Sequence, residues 1–410
     1  MLKEDRTQRY KMEHKKTYIT NFWHTRNNYG ANLTAFALQV VLQQMEYENE
    51  LINNPLKRNE TICKNCFGFN FQKQYLKTTA FIDKHIDLLN ESCNTFITGS
   101  DQVFRPIYTQ ENPEQYWLDF VKPDKKKIAF SASFGAGKEQ FLNENSASII
   151  EHMKNSLKSF DFISVREKSG VEICKDVLGV DAEWIIDPVF ILEKENYDNL
   201  IKNANNEYKN SIVAYVLDTS REYKKAYSYL SKKYNKKVIE TANSNISVEN
   251  WLASIRDCDL FVTDSFHGMC FALIFNKPFI CLANKDRGAT RFESICEMLG
   301  IENQCIDSIL EVTKKDCVFK IDYAKVNQRI EEERCKGLDF LQKALDAPIQ
   351  ITKEKVESRN QYLINRIIEL ENQNNLNFQL KRWLWYKWLV IFYNLPEFIR
   401  NFIQILRGKR

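Results

Sequence analysis

Short apolar segments alternate with amphipathic ones along most of this chain, and this pattern predicts alternating strands and helices. The clearest case is residues 259–282, DLFVTDSFHGMCFALIFNKPFICL. An apolar run at 260–262 predicts a buried strand. The apolar stretch 269–275 predicts a short helix that Pro278 ends, because proline disrupts a helix interior. Residues 279–282 predict the next buried strand, so the segment forms one strand–helix–strand unit.

A polar turn separates the first strand of this unit from its helix. Asp264 or Ser265 is a suitable N-cap, because a side-chain oxygen there accepts a backbone N–H of the first helical turn. Parallel sheets bind ligands where strands end and helices begin, so we expect Ser265, His267 and Gly268 to line a ligand crevice. The alternative for His267 is a core histidine whose hydrogen bonds are satisfied inside the protein.

The same alternation runs through both halves of the chain. Further strands are predicted at 17–22, 95–104, 127–134, 161–165, 212–217 and 237–241, and helices at 31–45, 222–233 and 248–255. Residues 184–191 close the first half, with a turn at Asp187-Pro188. Residues 46–92 are charged and predicted to be mostly helical. A polar, asparagine-rich linker at 195–210 separates two runs of this alternation. We therefore predict an α/β protein with two Rossmann-like lobes facing a cleft, 17–194 and 211–345, after a mobile N-terminus at 1–16.

Polar side chains follow several predicted strands, at the edge where a ligand would bind. Beyond those already named, they are Asn28, Gly30, Ser100, Asp101, Gln102, Ser133, Arg166, Arg287 and Arg291. Half of the 12 glycines fall in the same loops, namely Gly30, Gly99, Gly135, Gly137, Gly268 and Gly288. This clustering favours one shared cleft.

Arg166 and Asp101 each carry a specific expectation. The fork of donors on Arg166 suits the two oxygens of a carboxylate or phosphate, and the alternative is a surface ion pair with Glu167 or its neighbours. Asp101 follows a strand beside a serine and a glutamine. It could cap a helix or hold a loop, or it could orient a sugar hydroxyl, and the sequence leaves both open.

Composition limits the class of protein. At 410 residues the chain is too long for one ordinary core, so two domains and an appendage are expected. The net charge is +4, but residues 381–410 hold seven basic residues and one acid, which leaves the rest of the chain at −2. The body is therefore not predicted to bind nucleic acid.

The eleven cysteines form no disulfide-like framework, and the charged N-terminus has no signal-peptide pattern. Together these features predict a reducing, cytoplasmic location. Cys63 and Cys66 form a lone C-x-x-C pair without two further ligands at suitable spacing, so we predict no metal site.

The C-terminal residues 351–410 are predicted to form a helical tail outside the two lobes. Residues 351–380 fit either a short coiled coil or a solvated connector. Residues 383–393 (WLWYKWLVIFY) are too few to span a bilayer, and 398–406 are amphipathic and end near a basic cluster. This end suits the anionic inner face of a membrane, and the alternative is packing on the body or on a partner subunit.

Six segments together resemble the polysaccharide pyruvyl transferase family. In chain order they are NYGANLTAFALQ (28–39), FITGSDQVFRP (96–106), KKIAFSASFG (126–135), ISVREKSG (163–170), DP (187–188) and TDSFHG (263–268). The resemblance covers about residues 17–345 and implies a GT-B-like, two-lobed enzyme. Such an enzyme transfers pyruvyl from phosphoenolpyruvate, its donor substrate, to sugar hydroxyls of a surface or capsular glycan and forms a ketal without a metal or cofactor.

The resemblance also implies roles for individual residues. Arg166 matches the arginine that holds the donor's carboxylate or phosphate. His267 matches the histidine of the family's S-x-R-x-H motif, which would be either the general acid for phosphate departure or a hydrogen-bond donor facing the phosphate. Asp101 is a candidate base from its position alone. Ser265 stands where the family has an arginine, so Arg287 or Arg291 would have to supply that donor contact together with Gly268. Asn28, Gly30, Ser100, Gln102 and Ser133 are left for the acceptor or the cleft.

Two other functions remain open at this point. One keeps the fold and uses a nucleotide sugar as the donor, for which Ser265 is no obstacle. The other is a non-catalytic glycan-binding or scaffold protein. The expected partner is a glycan or lipid-linked oligosaccharide, with peripheral membrane contact through 381–410, while self-association is left open.

Overall fold

The structure is a computed structural model that describes residues 15–25, 28–54, 66–82, 85–109, 112–204, 207–218, 220–242, 244–283, 288–301, 305–318 and 320–374. Its strands form two separate parallel sheets. Parallel strands need long crossover connections, which the intervening helices supply.

The first sheet has six strands in the order β2-β1-β3-β4-β5-β6. Their bounds are β1 Lys16–Thr20, β2 Glu48–Leu51, β3 Thr95–Thr98, β4 Lys126–Ala132, β5 Phe162–Val165 and β6 Glu183–Trp184. The second sheet has five strands in the order β11-β10-β9-β7-β8. These are β7 Ser211–Tyr215, β8 Lys237–Glu240, β9 Leu260–Thr263, β10 Phe279–Leu282 and β11 Cys305–Ile306. The predicted two-sheet α/β architecture is confirmed.

The α-helices cover both sheets. They are α1 Tyr29–Gln44, α2 Phe67–Tyr75, α3 Pro106–Thr109, α4 Pro113–Tyr116, α5 Lys138–Glu144, α6 Ala147–Leu157, α7 Lys168–Ile173, α8 Pro188–Ile191, α9 Lys194–Leu200, α10 Arg221–Tyr234, α11 Val248–Asp257, α12 Phe266–Ile274, α13 Ala289–Leu299, α14 Tyr323–Asp346 and α15 Lys353–Asn374. Short 3₁₀ helices lie at Ile86–Glu91 and Ile309–Thr313, and one π turn at Cys174–Leu178.

The prediction that residues 46–92 are mostly helical was wrong in part, because β2 lies there. β2 is the edge strand of the first sheet, pairing with β1 alone among the described strands. Its sequence Glu-Asn-Glu-Leu places charges on the exposed side, and a strand with one solvated face lacks the apolar run that identified the central strands. Charge alone was therefore a poor guide to secondary structure here.

The two lobes share a hydrophobic core. Tyr29 of α1 stacks between Phe67 of α2, at 3.9 Å between ring centroids, and Trp251 of α11, at 4.7 Å. Its hydroxyl donates to the carbonyl of Ile246, 2.9 Å away. Stacked aromatic rings contribute attraction beyond the area they bury. The N-terminus of α1 is thus fixed against the second lobe.

The last two helices return to the first lobe. In α14, Gly337 packs so closely on Ile191 that a Cβ there would come within 2.4 Å of it. Lys126, at the start of β4, donates to the carbonyls of Leu345 and Ala347 at the end of this helix. α14 therefore contacts the sheet of the opposite lobe.

α15 docks on the first lobe through charged side chains. Lys355 donates to Asp161 at 2.8 Å, and Arg359 donates to the carbonyl of Phe120 at 2.5 Å and pairs with Asp87 at 2.7 Å. Lys355 and Arg359 are only 1% and 3% exposed. The first turns of this helix are therefore neither a coiled coil nor a solvated connector. The basic aromatic end at 381–410 lies outside the described residues.

Within the described part of the chain, no helix combines the length and apolar character needed to cross a membrane.

Candidate active site between the lobes

His267 lies in the first turn of α12, and its ring packs directly on Gly30 of α1. A Cβ on residue 30 would come within 2.0 Å of the ring Nδ1. The ring Nε2 is 3.1 Å from the hydroxyl of Thr34, which itself donates to the carbonyl of Gly30 at 2.8 Å. Because Thr34 has given its hydrogen to Gly30, it accepts from His267, so Nε2 carries the hydrogen. The two lobes meet at this imidazole, which is 7% exposed.

Ser265 is the N-cap of α12, as the sequence predicted. Its Oγ accepts from the backbone N–H of Gly268 at 3.3 Å. Asp264, the other candidate, instead accepts from the backbone N–H groups of Leu217 and Asp218 at 2.8 and 3.0 Å. Ser265 remains partly exposed, so the start of α12 is open to a ligand.

Arg166 is buried with two carboxylates. Its Nη1 is 2.5 Å from Oδ2 of Asp187 and 3.3 Å from the hydroxyl of Ser100, and its Nη2 is 3.2 Å from Oδ1 of Asp101. The alternative of a surface ion pair with Glu167 was therefore wrong. In this arrangement both terminal nitrogens hold carboxylates of the protein, and direct contact between Arg166 and a donor stays a prediction.

Asp187 joins the arginine to the histidine. Its Oδ2 contacts Arg166 and lies 3.7 Å from Nε2 of His267, while its Oδ1 accepts from the backbone N–H of Val189 at 3.0 Å and so caps α8. Burial opposes ionisation of this group. The charge of Arg166 and the contact with His267 outweigh that effect and hold the pKa of Asp187 well below its ordinary value. Asp187 is therefore a carboxylate across the physiological pH range.

Arg291 lies in the first turn of α13 and contacts the same aromatic ring as Arg166. Its guanidinium lies over the ring of Phe266, 5.2 Å from the centroid, while that of Arg166 lies 4.9 Å from it. Burial, followed by repulsion from Arg166, lowers the pKa of Arg291 to about 10. An anion bound beside these two guanidiniums would relieve that repulsion. Arg291 thus places a positive charge beside the ring of Phe266, the residue that follows Ser265 in the chain.

Glu167 organises the loop after β4. One of its oxygens accepts from the hydroxyl of Ser133 at 3.0 Å and from the backbone N–H groups of Phe134 and Gly135 at 2.5 and 2.9 Å. Its second oxygen has no hydrogen-bond partner among the described residues. Burial raises the pKa of Glu167. Ser133 is fully buried, so the structure places it in the support of the cleft and not on its surface.

Two of the remaining predicted residues, Gln102 and Asn28, make local contacts that support a loop and a helix end. Gln102 is partly exposed, and its side-chain oxygen accepts from Arg105 at 3.2 Å. This oxygen also occupies the space beside Gly135, where a Cβ would come within 1.9 Å of it. Asn28 is exposed and caps α1, accepting from the backbone N–H of Ala31 at 3.1 Å. Arg287 lies outside the described residues.

The structure therefore brings most of the predicted residues to one place and adds others that sequence reasoning missed. Around Phe266 and Asp187 it gathers Gly30, Ser100, Asp101, Arg166, Ser265, His267, Gly268 and Arg291. Thr34, Phe266 and the carboxylate roles of Asp187 and Glu167 were not predicted. Asp187 could have been found from the Asp-Pro pair, since aspartate before proline is a common helix start. Thr34 gave no such signal, because it sits within an apolar helix.

A cavity of about 220 Å³ lies elsewhere, between α2 and the start of α11. It is lined by Phe67, Asn70, Phe71, Gln74, Asn245, Ser247 and Glu249, and it contains none of the predicted site residues. Among the described residues, no group of three or more histidine, cysteine, aspartate or glutamate side chains is arranged to hold a metal ion.

Comparison with known proteins gives one family. A sequence profile described as Polysaccharide pyruvyl transferase matches residues 28–286, which include every predicted site residue except Arg287 and Arg291. No curated protein matches the chain.

Several solved structures are similar to this chain at low scores. The wall teichoic acid polymerase TagF, H444N variant, is 12% identical, with 88% of this chain and 90% of that chain covered and a TM-score of 0.40. A putative UDP-N-acetylglucosamine 2-epimerase from Listeria monocytogenes is 11% identical, with 85% and 94% covered and a TM-score of 0.43. Arabidopsis thaliana UGT89C1 complexed with UDP-L-rhamnose is 8% identical, with 81% and 99% covered and a TM-score of 0.46. At these scores the matches carry no conclusion about function.

Proposed function

The chain belongs to the polysaccharide pyruvyl transferase family, and we propose that it transfers pyruvyl from phosphoenolpyruvate to two hydroxyls of a sugar in a surface or capsular glycan. The product is a cyclic ketal, and inorganic phosphate is released. The reaction requires a site that binds two anionic groups, because phosphoenolpyruvate carries both a carboxylate and a phosphate.

The observation that carries this proposal is the position of Arg291. Ser265 removes the arginine that the family resemblance leads one to expect, and this loss favoured a different donor. Arg291 places its guanidinium 5.2 Å from the ring of Phe266, the residue between Ser265 and His267. A buried arginine with a lowered pKa is stabilised by an anionic ligand. Arg291 therefore supplies the missing charge from α13, and the N-terminus of α12 adds backbone N–H groups for the phosphate.

The chemistry balances without a cofactor. A sugar hydroxyl attacks the substituted carbon of phosphoenolpyruvate, its methylene carbon takes one proton to become a methyl group, and the carbon–oxygen bond to phosphate breaks. A second hydroxyl closes the ketal ring. The two hydroxyl protons end on the methyl group and on the departing phosphate. His267 is proposed to donate to the departing phosphate once its Nε2–H is released from Thr34, and Asp101 to accept a proton from the acceptor hydroxyl.

The support for His267 and Asp101 is positional. His267 is held by Gly30, Thr34 and Asp187, which fixes its ring. Asp101 is 7% exposed, and its side chain already contacts Arg166 and the backbone N–H of Gln102. A base fixed in this way meets the orientation requirement for general base catalysis.

The acceptor is proposed to be a glycan or lipid-linked oligosaccharide at the inner face of a membrane, in keeping with the basic, aromatic residues 381–410. This placement, with the biosynthetic role in exopolysaccharide or capsule assembly, rests on the family and on the sequence of the tail.

A thermal-shift titration tests the donor without knowledge of the acceptor. Ligand that binds only the folded protein raises its melting temperature with concentration. We expect phosphoenolpyruvate to raise it, a panel of nucleotide sugars to leave it unchanged, and Arg291→Ala to remove the effect. Arg221→Ala, at an exposed position of α10, is the matched control and should keep the shift. A shift with nucleotide sugars alone would replace this proposal with a glycosyltransferase.

A further inference from the structure

Three cysteines of the second lobe lie together, away from the donor site. Cys281 is in β10, Cys305 in β11 and Cys296 in α13. Strands β10 and β11 pair in parallel, and Cys281 and Cys305 are direct partners in that register. Paired residues on neighbouring parallel strands are about 4.8 Å apart and project from the same face of the sheet. A disulfide spans Cα atoms about 4.4 to 6.8 Å apart, so this register suits one.

The three thiols differ in their exposure to solvent and in their pKa. Cys281 and Cys296 are buried, while Cys305 is partly exposed. Hydrogen bonds from the side chains of Cys281 and Cys296 lower the pKa of Cys305, whereas burial raises the pKa of Cys281 well above its ordinary value. In contrast, burial raises the pKa of Cys93, Cys174 and Cys258 to about 12. Because the thiolate is the nucleophile, Cys305 differs from these buried cysteines both in access and in charge.

We propose that Cys305 is a peroxide-reactive thiol and that Cys281 resolves it to a reversible disulfide across β10 and β11. Hydrogen peroxide oxidises the Cys305 thiolate to a sulfenic acid and releases hydroxide. The Cys281 sulfur then attacks the Cys305 sulfur, the sulfenic oxygen leaves as water, and a disulfide forms. In sum, two thiols and one peroxide give one disulfide and two waters. A small-molecule dithiol reverses the step by thiol–disulfide exchange.

Cys281 is the resolving residue because of its position in the sheet. It faces Cys305 in the register of two hydrogen-bonded strands, whereas Cys296 approaches from the helix that covers them. Cys296 therefore serves as the matched control within the cluster, and the exposed Cys335 of α14 as the control for accessibility.

The test uses the full, reduced protein, treated with hydrogen peroxide, blocked with an alkylating reagent and digested without reduction for mass spectrometry. We expect a linked peptide pair carrying Cys281 and Cys305. Cys281→Ser should abolish the link and leave a sulfenic acid on Cys305 that dimedone traps. Cys296→Ser and Cys335→Ser should both retain the link. A link that persists in Cys281→Ser, or one that Cys296→Ser abolishes, would overturn the assignment.

A second measurement on the unaltered protein does not depend on how the variants fold. The rate of alkylation of Cys305 should rise less steeply between pH 6.5 and 8.5 than that of an ordinary thiol, because hydrogen bonds from its neighbours lower its pKa. That of an ordinary thiol should rise more than tenfold over the same range. A tenfold rise at Cys305 would contradict the proposal.

Discussion

Gly30 provides the sharpest test of how His267 is held. The ring of His267 occupies the space where a side chain of residue 30 would begin, with Nδ1, Cγ and Cε1 at 2.0, 2.4 and 2.8 Å from an added Cβ. Ordinary contact between such atoms is about 3.5 Å, so Gly30→Ala must move the ring or the helix by about 1.5 Å. The neighbours of Gly30 in α1 are buried, including Ala31 and Leu33, so the helix has little freedom to retreat.

The effect of Gly30→Ala on the free energy of unfolding should differ between the unaltered protein and the His267→Ala variant. Alanine stabilises a helix by about 0.5 to 1 kcal/mol relative to glycine, whereas overpacking a core costs about 1 to 3 kcal/mol. In the unaltered protein the clash dominates, and Gly30→Ala should lower the free energy of unfolding. In His267→Ala the methyl group fits the space that the ring has left. There Gly30→Ala should be neutral or stabilising, which gives a coupling of about 1 to 3 kcal/mol.

A double-mutant cycle by urea unfolding measures this coupling without any substrate. Tryptophan fluorescence reports the transition, and coincidence with circular dichroism establishes the two-state behaviour that the cycle requires. Gly137→Ala is the control, because a Cβ there meets only Thr290 at 3.8 Å and should show no coupling to His267. An equal cost of Gly30→Ala with and without the His267 ring would refute the packing argument.

Three further substitutions test other parts of the structure. Burial lowers the pKa of Lys127 to about 7, below its value in the unfolded chain. Burying the charged amine therefore costs about 5 kcal/mol of stability below pH 7, and this cost falls as the pH rises toward 10.5. Lys127→Met should raise the free energy of unfolding strongly at pH 6.5 and much less at pH 9.5, and an equal gain at both pH values would contradict this. Asp187→Asn leaves Arg166 without its closest carboxylate and should cost about 3 to 5 kcal/mol in urea unfolding, against less than about 1 kcal/mol for Asp176→Asn, which lies in an exposed pair with Lys138. Arg359→Ala should speed hydrogen exchange in the first turns of α15, whereas the exposed Lys353→Ala should not, and unchanged exchange in both would mean that Arg359 does not dock this helix.

Much of the fold was predictable because the central strands are continuous apolar runs. β9, α12 and β10 were found with small errors in their ends, and Ser265 was among the two expected caps. β2 and β11 were missed for a common reason: each lies at the edge of its sheet, and β11 has only two residues. Edge strands are half solvated, so their sequences resemble those of loops.

Site residues that directly follow a predicted strand could be identified from the sequence. Their contacts with residues from distant segments could not. The end of each strand pointed to Asp101, Arg166 and His267. The partners that fix them, Thr34 and Asp187, lie 233 and 80 residues from His267 and could be assigned only from the folded chain. The docking of α15 on the first lobe was not predicted, for a different reason. Its contacts are made by Lys355 and Arg359, and a search for apolar periodicity does not detect charged side chains that become buried.

The central claim is that Arg291 supplies the donor charge that Ser265 does not, and relocating the charge tests it most directly. Calorimetric titration with phosphoenolpyruvate should give binding in the unaltered protein and at least a tenfold weaker affinity in Arg291→Ala, because a charge-assisted contact contributes about 1.5 to 3 kcal/mol. Ser265→Arg added to Arg291→Ala should restore part of that affinity, although the lost N-cap costs about 1 kcal/mol of stability. If phosphoenolpyruvate binds equally well without Arg291, or if it does not bind the unaltered protein, the claim is wrong.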